Sequence, residues 1–309
     1  MAGRAVLATV LIPTFDHGPT LRCSIPTALN QTVEDIEVFV IGDGVPDITR
    51  EIVRDFSRQD GRIRFFDNPK GPRHGEIHRH AALQEARGEL ICYLSDDDLW
   101  LPDHIEHLAV LLGDADFAHA CPARIDPDGG VAIYPGDLSM AHFRRSIMEG
   151  FNFIPLSHAA HRLTMYRRLP YGWRTTPPGI PTDLYMWQQF LAEPSCRVVS
   201  GGRPTVLNFP QSVRGEMTHQ ERLAELQRWA ERTATEEGRQ EYVSAVLDNL
   251  LRDRARLWAE KERLEPREAE LAAVYRSRTW RLRSRLLRIP GAGTVARAAA
   301  ARRRRRSSL

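Results

Sequence analysis

Short, continuous apolar runs alternate with helix-like patterns along the first third of the chain. The apolar runs cover residues 5–12, 36–41, 63–66 and 89–94. The helix-like patterns between them cover residues 19–31, 47–58 and 76–87. Apolar runs of this length are typical of strands that are buried on both faces. Because strands alternate with helices, the sequence predicts βαβ units and an α/β fold with a mostly parallel sheet flanked by helices.

Polar residues and turn formers end three of these runs. They are the segments 13–16 (PTFD), 42–44 (GDG) and 95–98 (SDDD). In open α/β sheets, ligands bind outside the carboxyl ends of the parallel strands. We therefore expect the functional site at the edge of the sheet where these three segments meet.

The pattern becomes less regular after residue 100. Helical patterns recur at 102–112 and 183–192, strand character at 115–135 and 197–208, and residues 137–182 are expected to be irregular. From about residue 219 the chain is rich in Glu, Arg, Ala and Leu. We predict a main domain over 1–215 with a first half at about 1–112 and a second half at about 113–215, then a helical appendage over 216–270 and a basic tail over 271–309.

The helical appendage carries leucines spaced by seven residues, at positions 250, 257, 264 and 271. Charged residues occupy the matching positions 254, 261 and 268, so a strict coiled-coil seam fails. We expect either an appendage packed on the body or a weak oligomerisation arm.

Charge is divided unevenly between the body and the tail. The chain has 43 Lys and Arg against 40 Asp and Glu, a net charge of +3, and its last 39 residues hold 12 Arg and no acidic residue. Subtracting the tail leaves 31 basic and 40 acidic side chains, a net charge of −9 for residues 1–270. Arg with Trp and Leu in an amphipathic pattern predicts that the tail binds an anionic membrane surface, the alternative being a solvated tail. The acidic body argues against a nucleic-acid partner.

Composition excludes several classes of protein. A hydrophobic content of 42% is too high for a disordered chain, and the sequence has no apolar run long enough to span a membrane. The apolar start leads into Pro13 and is interpreted as a first strand, not a signal peptide. Four scattered cysteines without a C-x-x-C pair predict neither disulfides nor a zinc site. We therefore expect a cytoplasmic protein, attached at the inner face of the membrane if the tail binds lipid.

Three adjacent carboxylates, Asp96, Asp97 and Asp98, are the strongest chemical feature. They repel one another unless a cation or hydrogen-bond donors compensate. Mg²⁺ and Mn²⁺ prefer carboxylate oxygens combined with substrate phosphates, so the triplet predicts such a cation. The alternative is a solvated turn in which an Asp caps the following helix.

Three segments in order resemble a known family. VLIPTFDHGPTLRCSIPTALNQT, VFVIGDGVPDIT and RHAALQEARGELICYLSDDDLWLPDHI together resemble an inverting family 2 glycosyltransferase of the GT-A fold, over about residues 5–210. The resemblance implies transfer of a sugar from a UDP- or dTDP-type nucleotide sugar to an acceptor hydroxyl, assisted by Mg²⁺ or Mn²⁺. It also implies a carbohydrate, lipid-linked or small-molecule acceptor and a role in polysaccharide biosynthesis of the cell envelope.

The same resemblance implies that residues 1–215 are the catalytic domain, with a nucleotide-sugar half at about 1–112 and an acceptor half at about 113–215. It also implies roles for individual residues. The implied nucleotide-sugar contacts are Pro13, Thr14, Phe15, Asp43, Arg73, His74 and Asp96. Asp97 is the implied metal ligand, and Asp98 stays a candidate ligand because Ser95 stands where many members have Asp. Asp43 has the plain alternative of an Asp-Gly turn, and the 70–80 segment that of a solvated loop.

A general base is implied near the start of the 183–192 helix. Asp183 matches the family's late acidic residue, although Thr182 stands where many members have a second acid. His158 and His161 are rival bases or acceptor-side groups. Trp173 and Trp187 are interpreted either as sugar-stacking rings or as core residues.

Three other functions compete with this interpretation. Ser95 and Thr182, where acids are common, leave open a non-catalytic nucleotide-sugar or carbohydrate-binding protein. A sugar-phosphate nucleotidyltransferase would need a Gly-rich basic loop after the first strand, and residues 13–18 (PTFDHG) do not supply it. A tail-driven membrane or nucleic-acid adaptor would depend on residues 271–309.

Overall fold

A computed structural model of the protein describes residues 5–134, 136–277 and 280. The chain divides into two compact units, Met1–Asn249 and Leu250–Leu309. The strands of the described part are β1 (Ala8–Thr14), β2 (Ile36–Asp43), β3 (Ile63–Asn68), β4 (Leu90–Tyr93), β5 (Leu99–Trp100), β6 (Phe117–His119), β7 (Ala123–Ile125), β8 (Val131–Ile133), β9 (Ala159–Arg162), β10 (Val198–Ser200) and β11 (Val206–Leu207). The helices are α1 (Leu21–Leu29), α2 (Asp47–Gln59), α3 (Glu76–Leu83), α4 (His104–Leu111), α5 (Ala141–Met148), α6 (Leu163–Tyr166), α7 (Thr182–Ala192), α8 (His219–Ala234) and α9 (Glu236–Arg276).

The central sheet has seven strands in the order β10-β6-β9-β4-β1-β2-β3. Strands β1, β2, β3 and β4 pair in parallel, so the first four predicted strands form one parallel block. Strand β9 runs antiparallel between β4 and β6. The expectation that residues 137–182 are irregular is therefore wrong for Ala159–Arg162, which complete the middle of the sheet. The predicted α/β fold is confirmed, with a mixed, mostly parallel sheet.

Both faces of the sheet are covered, as the continuous apolar runs predicted. Alternate residues of β1 point to opposite faces: Val10 and Ile12 pack with α1, α2 and α4, and Leu11 packs on the other side with α3 and α7. Since side chains alternate along a strand, a strand buried on both faces is apolar at most positions. The buried polar residues Thr9 and Glu37 are hydrogen-bonded to each other. The result is a three-layer arrangement that leaves the strand ends to carry polar groups.

A third apolar cluster joins helix α8 and the start of α9 to the small β5–β11 sheet. Leu226, Trp229, Tyr242 and Val246 are buried against Leu207 and its neighbours. Helix α8 begins with a capping box in which Thr218 and Glu221 each accept from the other's backbone N–H. This packing places α8 beside the carboxyl edge of the central sheet.

The predictions about membrane-spanning helices and about the basic tail can be compared with the structure only over the described residues. No helix among residues 5–134, 136–277 and 280 combines the length and the apolar character that a membrane crossing requires. Of the predicted basic tail, only residues 271–277 and 280 are described, so the arginine run at 302–306 lies outside the described residues.

Candidate active site

The carboxyl ends of β1, β2 and β4 open into a cleft of about 470 Å³. Eight of the ten predicted site residues line it: Pro13, Thr14, Phe15, Asp43, Arg73, His74, Asp96 and Asp97. The parallel pairing of β1 with both β2 and β4 brings these segments to one edge. The remaining two, Asp98 and Asp183, do not line the cleft.

Asp43, at the end of β2, organises one wall of the cleft. One carboxylate oxygen accepts from Lys70 Nζ at 2.6 Å and the other from the Gly71 backbone N–H at 2.5 Å. Gly75 passes so close that a Cβ there would lie 2.4 Å from the Asp43 carboxyl carbon, and its φ of +64° also favours glycine. Asp43 therefore holds the 70–75 loop against the sheet, and Lys70 lies 5.2 Å from the centre of the Phe15 ring.

The 70–75 loop presents Arg73 and His74 at the cleft. Arg73 has a left-handed backbone conformation, with φ of +55°, and its guanidinium is exposed apart from a 3.5 Å contact to the Ile180 carbonyl. The His74 backbone N–H donates to buried Glu76 at 3.2 Å. Both predicted basic residues thus lie on a loop whose path is fixed by buried carboxylates.

Arg79, on α3, is a cleft residue that the sequence reasoning did not single out. It is buried, its Nη2 donates to the His74 carbonyl at 3.2 Å, and its guanidinium carbon lies 4.8 Å from the centre of the Trp173 ring. Its Nε and Nη1 are buried and have no hydrogen-bond partner among the described residues. Burial lowers the pKa of Arg79, with Glu76 opposing the shift. A buried cation with two free donors at a cleft is suited to an anionic ligand.

The three adjacent aspartates have different surroundings. Asp98 is buried, and both of its carboxylate oxygens accept hydrogen bonds: Oδ1 from Asn208 and the Phe209 N–H at 3.1 and 2.8 Å, Oδ2 from Ser157 and Asn208 at 2.5 and 3.0 Å. These contacts direct its charge away from the cleft. Asp98 is therefore not retained as a candidate metal ligand, because its acceptor positions are already used.

Asp97 and Asp96 face the cleft together with His17, which lies on the loop after β1. His17 Nδ1 is 3.4 Å from Asp96 Oδ1, and one ligating atom from each of the three residues lies within 4.8 Å of the others. Burial and the neighbouring Asp98 and Asp96 raise the pKa of Asp97 to about 7. The hydrogen bond that His17 donates to the Asp96 carboxylate raises the pKa of His17. Two carboxylates and an imidazole form a donor set that fits a divalent cation.

Arg222, on α8, forms an ion pair with Asp97, the candidate metal ligand. Its Nη2 donates to Asp97 Oδ2 and its Nη1 donates to Gln211, while only 3% of its side chain is exposed. Arg222 does not line the cleft, so it supports Asp97 from within the protein. The sequence offered no signal for this contact, since the two residues are 125 positions apart.

Asp183 lies in the first turn of α7, where its Oδ1 accepts from the Leu184 N–H at 2.8 Å. Burial raises its pKa, and Asn152 and the Arg79 guanidinium oppose the shift. The Arg79 guanidinium, which lines the cleft, therefore acts on Asp183 through its charge.

The other groups considered at this end of the site are core residues. Burial lowers the pKa of both His158 and His161 to about 3, and His161 shares a 2.7 Å hydrogen bond with Tyr93. Trp187 is fully buried and donates to the Ile154 carbonyl, and Trp173 is 2% exposed. The two histidines are therefore excluded as exposed bases, and the two tryptophans as sugar-stacking rings.

Comparison with known proteins now identifies the family. The sequence model of glycosyl transferase family 2 matches residues 9–172, more than half of the chain. The chain belongs to glycosyl transferase family 2. Arg222 and Asp183 of this family 2 glycosyltransferase lie beyond the matched residues.

Two curated relatives illustrate the range of similar proteins. The GalNAc(5)-diNAcBac-PP-undecaprenol beta-1,3-glucosyltransferase of Campylobacter jejuni is 31% identical over 90 residues, 29% of this chain and 29% of that protein. The uncharacterized glycosyltransferase EpsJ of Bacillus subtilis is 32% identical over 92 residues, 30% of this chain and 26% of that protein. Each alignment spans less than a third of the relative's own length.

Solved structures support the fold. S. aureus TarS 1–349 in complex with UDP-GlcNAc superposes with a TM-score of 0.51 at 14% identity, over 66% of this chain and 58% of that chain. A second crystal structure of S. aureus TarS 1–349 gives a TM-score of 0.52 at 14% identity, over 72% of this chain and 64% of that chain. The predicted GT-A fold of this family 2 glycosyltransferase is thereby confirmed.

Proposed function

We propose that this glycosyltransferase moves a sugar from a nucleoside diphosphate sugar to an acceptor hydroxyl with inversion at the anomeric carbon. The acceptor oxygen forms a bond to the anomeric carbon while the bond from that carbon to the phosphate oxygen breaks. The nucleoside diphosphate leaves with the electron pair of the broken bond. The acceptor proton passes to the Asp183 carboxylate, which acts as the general base.

The distribution of charge in the cleft is the observation that carries this proposal. The cleft is lined by Asp96 and Asp97, whose charged neighbours are His17 and Arg222. It is also lined by Arg73 and Arg79, and in the described residues no carboxylate is hydrogen-bonded to either guanidinium. A diphosphate bound together with a cation would satisfy both sets of charged residues at once. A neutral ligand would leave both unsatisfied.

A divalent cation is part of the proposed reaction. Asp97 and Asp96 are the residues that would hold Mg²⁺ or Mn²⁺, since their oxygens converge at the cleft. The cation would act as a Lewis acid that stabilises charge on the leaving diphosphate. Arg222 holds Asp97 in place from the side opposite the cleft.

The nucleoside is assigned to the edge formed by Pro13, Thr14 and Phe15. Thr14 Oγ1 is buried and has no hydrogen-bond partner among the described residues, and Phe15 is 45% exposed beside Lys70. A free hydroxyl beside an exposed ring suits a base or a ribose. Neither Thr14 nor Phe15 distinguishes uracil from thymine, so UDP- and dTDP-sugars are both candidate donors.

The acceptor is proposed to be a carbohydrate, lipid-linked or small-molecule hydroxyl compound used in polysaccharide biosynthesis. The name of the Campylobacter jejuni relative includes PP-undecaprenol, which supports a lipid-linked acceptor. We accordingly propose that the protein acts on the cytoplasmic side of the cell envelope. Binding of the tail to an anionic membrane and an oligomeric state stay predictions.

The proposal is tested by product formation with a panel of UDP- and dTDP-sugars, in Mn²⁺, in Mg²⁺ and in chelator. Asp97→Asn is expected to abolish metal-dependent turnover. Asp183→Asn is expected to lower kcat by about 10²- to 10⁴-fold while donor binding stays, because a general base contributes about that factor. Asp114→Asn, an exposed carboxylate after α4, is the matched control with unchanged activity. An unchanged kcat in Asp183→Asn would contradict the base assignment.

A non-catalytic nucleotide-sugar-binding protein is the second candidate. Ser95 lines the cleft at a position where acids are common, and Asp97 is already paired with Arg222. This alternative predicts that a UDP- or dTDP-sugar binds in calorimetry and that neither transfer nor hydrolysis occurs with any acceptor. Metal-dependent turnover lost in Asp97→Asn would exclude it.

A further inference from the structure

His17 is the unassigned residue that most closely approaches the acidic cluster. It stands three positions after Thr14, the last residue of β1, and the loop that carries it places Nδ1 3.4 Å from Asp96 Oδ1. Asp97 completes a group whose ligating atoms all lie within 4.8 Å of one another. Nothing in the chain's hydrophobic pattern marked this histidine, because it stands in a polar loop.

The opposite side of the imidazole has a carboxylate partner. His17 Nε2 lies 3.6 Å from Asp16 Oδ1. Arg222 Nη1 lies 3.4 Å from the same nitrogen and also donates to Gln211 through a much closer contact. Asp16 is the carboxylate at ion-pair distance from Nε2, and it would accept from an Nε2–H once the ring binds a metal through Nδ1. Histidines that bind metals characteristically donate their remote N–H to a carboxylate, which leaves the other nitrogen's lone pair free for the metal.

The ring is also held in place by its surroundings. His219, at the start of α8, packs edge-on against His17 with ring centres 5.5 Å apart. The His17 side chain is 28% exposed, so it is held but still open to the cleft. A ring restrained on one side and open on the other has the placement of a ligand and not of a core residue.

We propose that His17 is a ligand of the divalent cation, binding through Nδ1 with Asp16 fixing the orientation of the ring. The proposal rests on the proposed function for the presence of the cation, but not for the identity of the sugar or acceptor. A nitrogen ligand in an otherwise oxygen site favours transition-metal ions over Mg²⁺, which prefers oxygen. The site is therefore selective for Mn²⁺ over Mg²⁺, and His17 is the residue that sets this preference.

Direct binding of the metal alone tests the assignment. Full-length protein is titrated with Mn²⁺ and separately with Mg²⁺ by calorimetry, and the Mn²⁺ complex is examined by pulsed electron paramagnetic resonance for coupling to a directly bound ¹⁴N. The wild type is expected to show this coupling. In His17→Gln the coupling disappears and the Kd for Mn²⁺ rises about tenfold or more, while the Kd for Mg²⁺ changes by less than about twofold.

Matched variants separate this proposal from the proposed function. His74→Gln removes a different imidazole from the same cleft and is expected to keep the ¹⁴N coupling. Asp16→Asn keeps the coupling and weakens Mn²⁺ binding less than His17→Gln, as expected for a positioning residue. Coupling that persists in His17→Gln, or equal losses for both metals, would overturn the assignment. If Asp97→Asn then abolishes Mn²⁺ binding, the metal-assisted reaction stands without His17 as a ligand.

Discussion

Replacing Asp98 tests whether this aspartate has a structural role, in contrast to the candidate metal ligand Asp97 beside it. Asp98 accepts hydrogen bonds from Ser157, Asn208 and the Phe209 N–H, and these donors are buried with it. Asp98→Ala removes the acceptor and leaves three donors in an apolar environment. We expect this variant to lose stability and the folded protein to keep its affinity for Mn²⁺.

The size of the loss follows from these contacts. A buried donor left unsatisfied costs about 1–3 kcal/mol, so three donors set an upper range of about 3–9 kcal/mol. Water entering the space left by the side chain recovers part of this cost, and removing one of three adjacent carboxylates relieves repulsion with Asp96 and Asp97. We expect a net loss of about 3 kcal/mol, which lowers Tm by about 6–12 °C in a unit of this size.

Thermal unfolding followed by circular dichroism measures the loss, and Mn²⁺ calorimetry below Tm measures the site. Asp98→Asn keeps one acceptor oxygen and should lose about half as much stability as Asp98→Ala, about 1–2 kcal/mol. Asp97→Asn should show the opposite pattern in the calorimeter, with Mn²⁺ binding lost. If Asp98→Ala unfolds at the wild-type temperature and fails to bind Mn²⁺, the carboxylate is a ligand and its structural assignment is wrong.

Three further predictions follow from other buried groups. Arg79→Met should weaken UDP binding about 10- to 100-fold in calorimetry, because a hydrogen bond to a charged group contributes about 1.5–3 kcal/mol. Arg73→Met should weaken UDP binding less, since Arg73 is exposed. Equal effects of the two substitutions would contradict the role given to the free donors of Arg79. Between pH 8 and pH 5 the free energy of unfolding of His158→Leu should rise by about 2 kcal/mol relative to that of the wild type, as measured by urea unfolding. The reason is that below pH 6.5 the unfolded wild-type chain binds a proton at His158, which the folded chain does not bind until about pH 3. A difference between variant and wild type that does not change with pH would contradict the burial of His158. Arg222→Met should lower Tm, because Asp97 loses its buried partner, and Arg222→Lys should restore part of the loss.

The first half of the fold could be predicted because its signal is local. Strands buried on both faces are mostly apolar, so β1, β2 and β4 appear as short apolar runs, in which Thr9 and Glu37 are the polar exceptions before the carboxyl ends. Strand β9 has no such signal, since its four residues are Ala-Ala-His-Arg. It is buried because it fills the gap between β4 and β6, which is a property of the tertiary structure and not of the segment.

The candidate site could be predicted to the level of segments but not of individual side chains. The sequence shows three adjacent aspartates, and it does not show which of them turns inward. That choice is made by Ser157 and Asn208, which are 59 and 110 positions away from Asp98 along the chain. Arg79 lies within residues 70–80, the segment that contains the implied nucleotide-sugar contacts Arg73 and His74. Its spacing of three from Glu76 on one helix face was the available signal.

The predicted end of the catalytic domain at residue 215 would leave out Arg222, the ion-pair partner of Asp97. The first compact unit extends to Asn249, and within it α8 buries Leu226 and Trp229, each worth about 1.5–3 kcal/mol of hydrophobic stabilisation. Tyr242 donates from α9 to the Val206 carbonyl at 2.6 Å, which fixes the β11 strand next to the acidic turn. A catalytic domain ended at residue 215 would expose this apolar cluster and remove Arg222 from Asp97. The helical segment after residue 215 is therefore part of the structure that holds the candidate metal carboxylate, although the family match ends at residue 172.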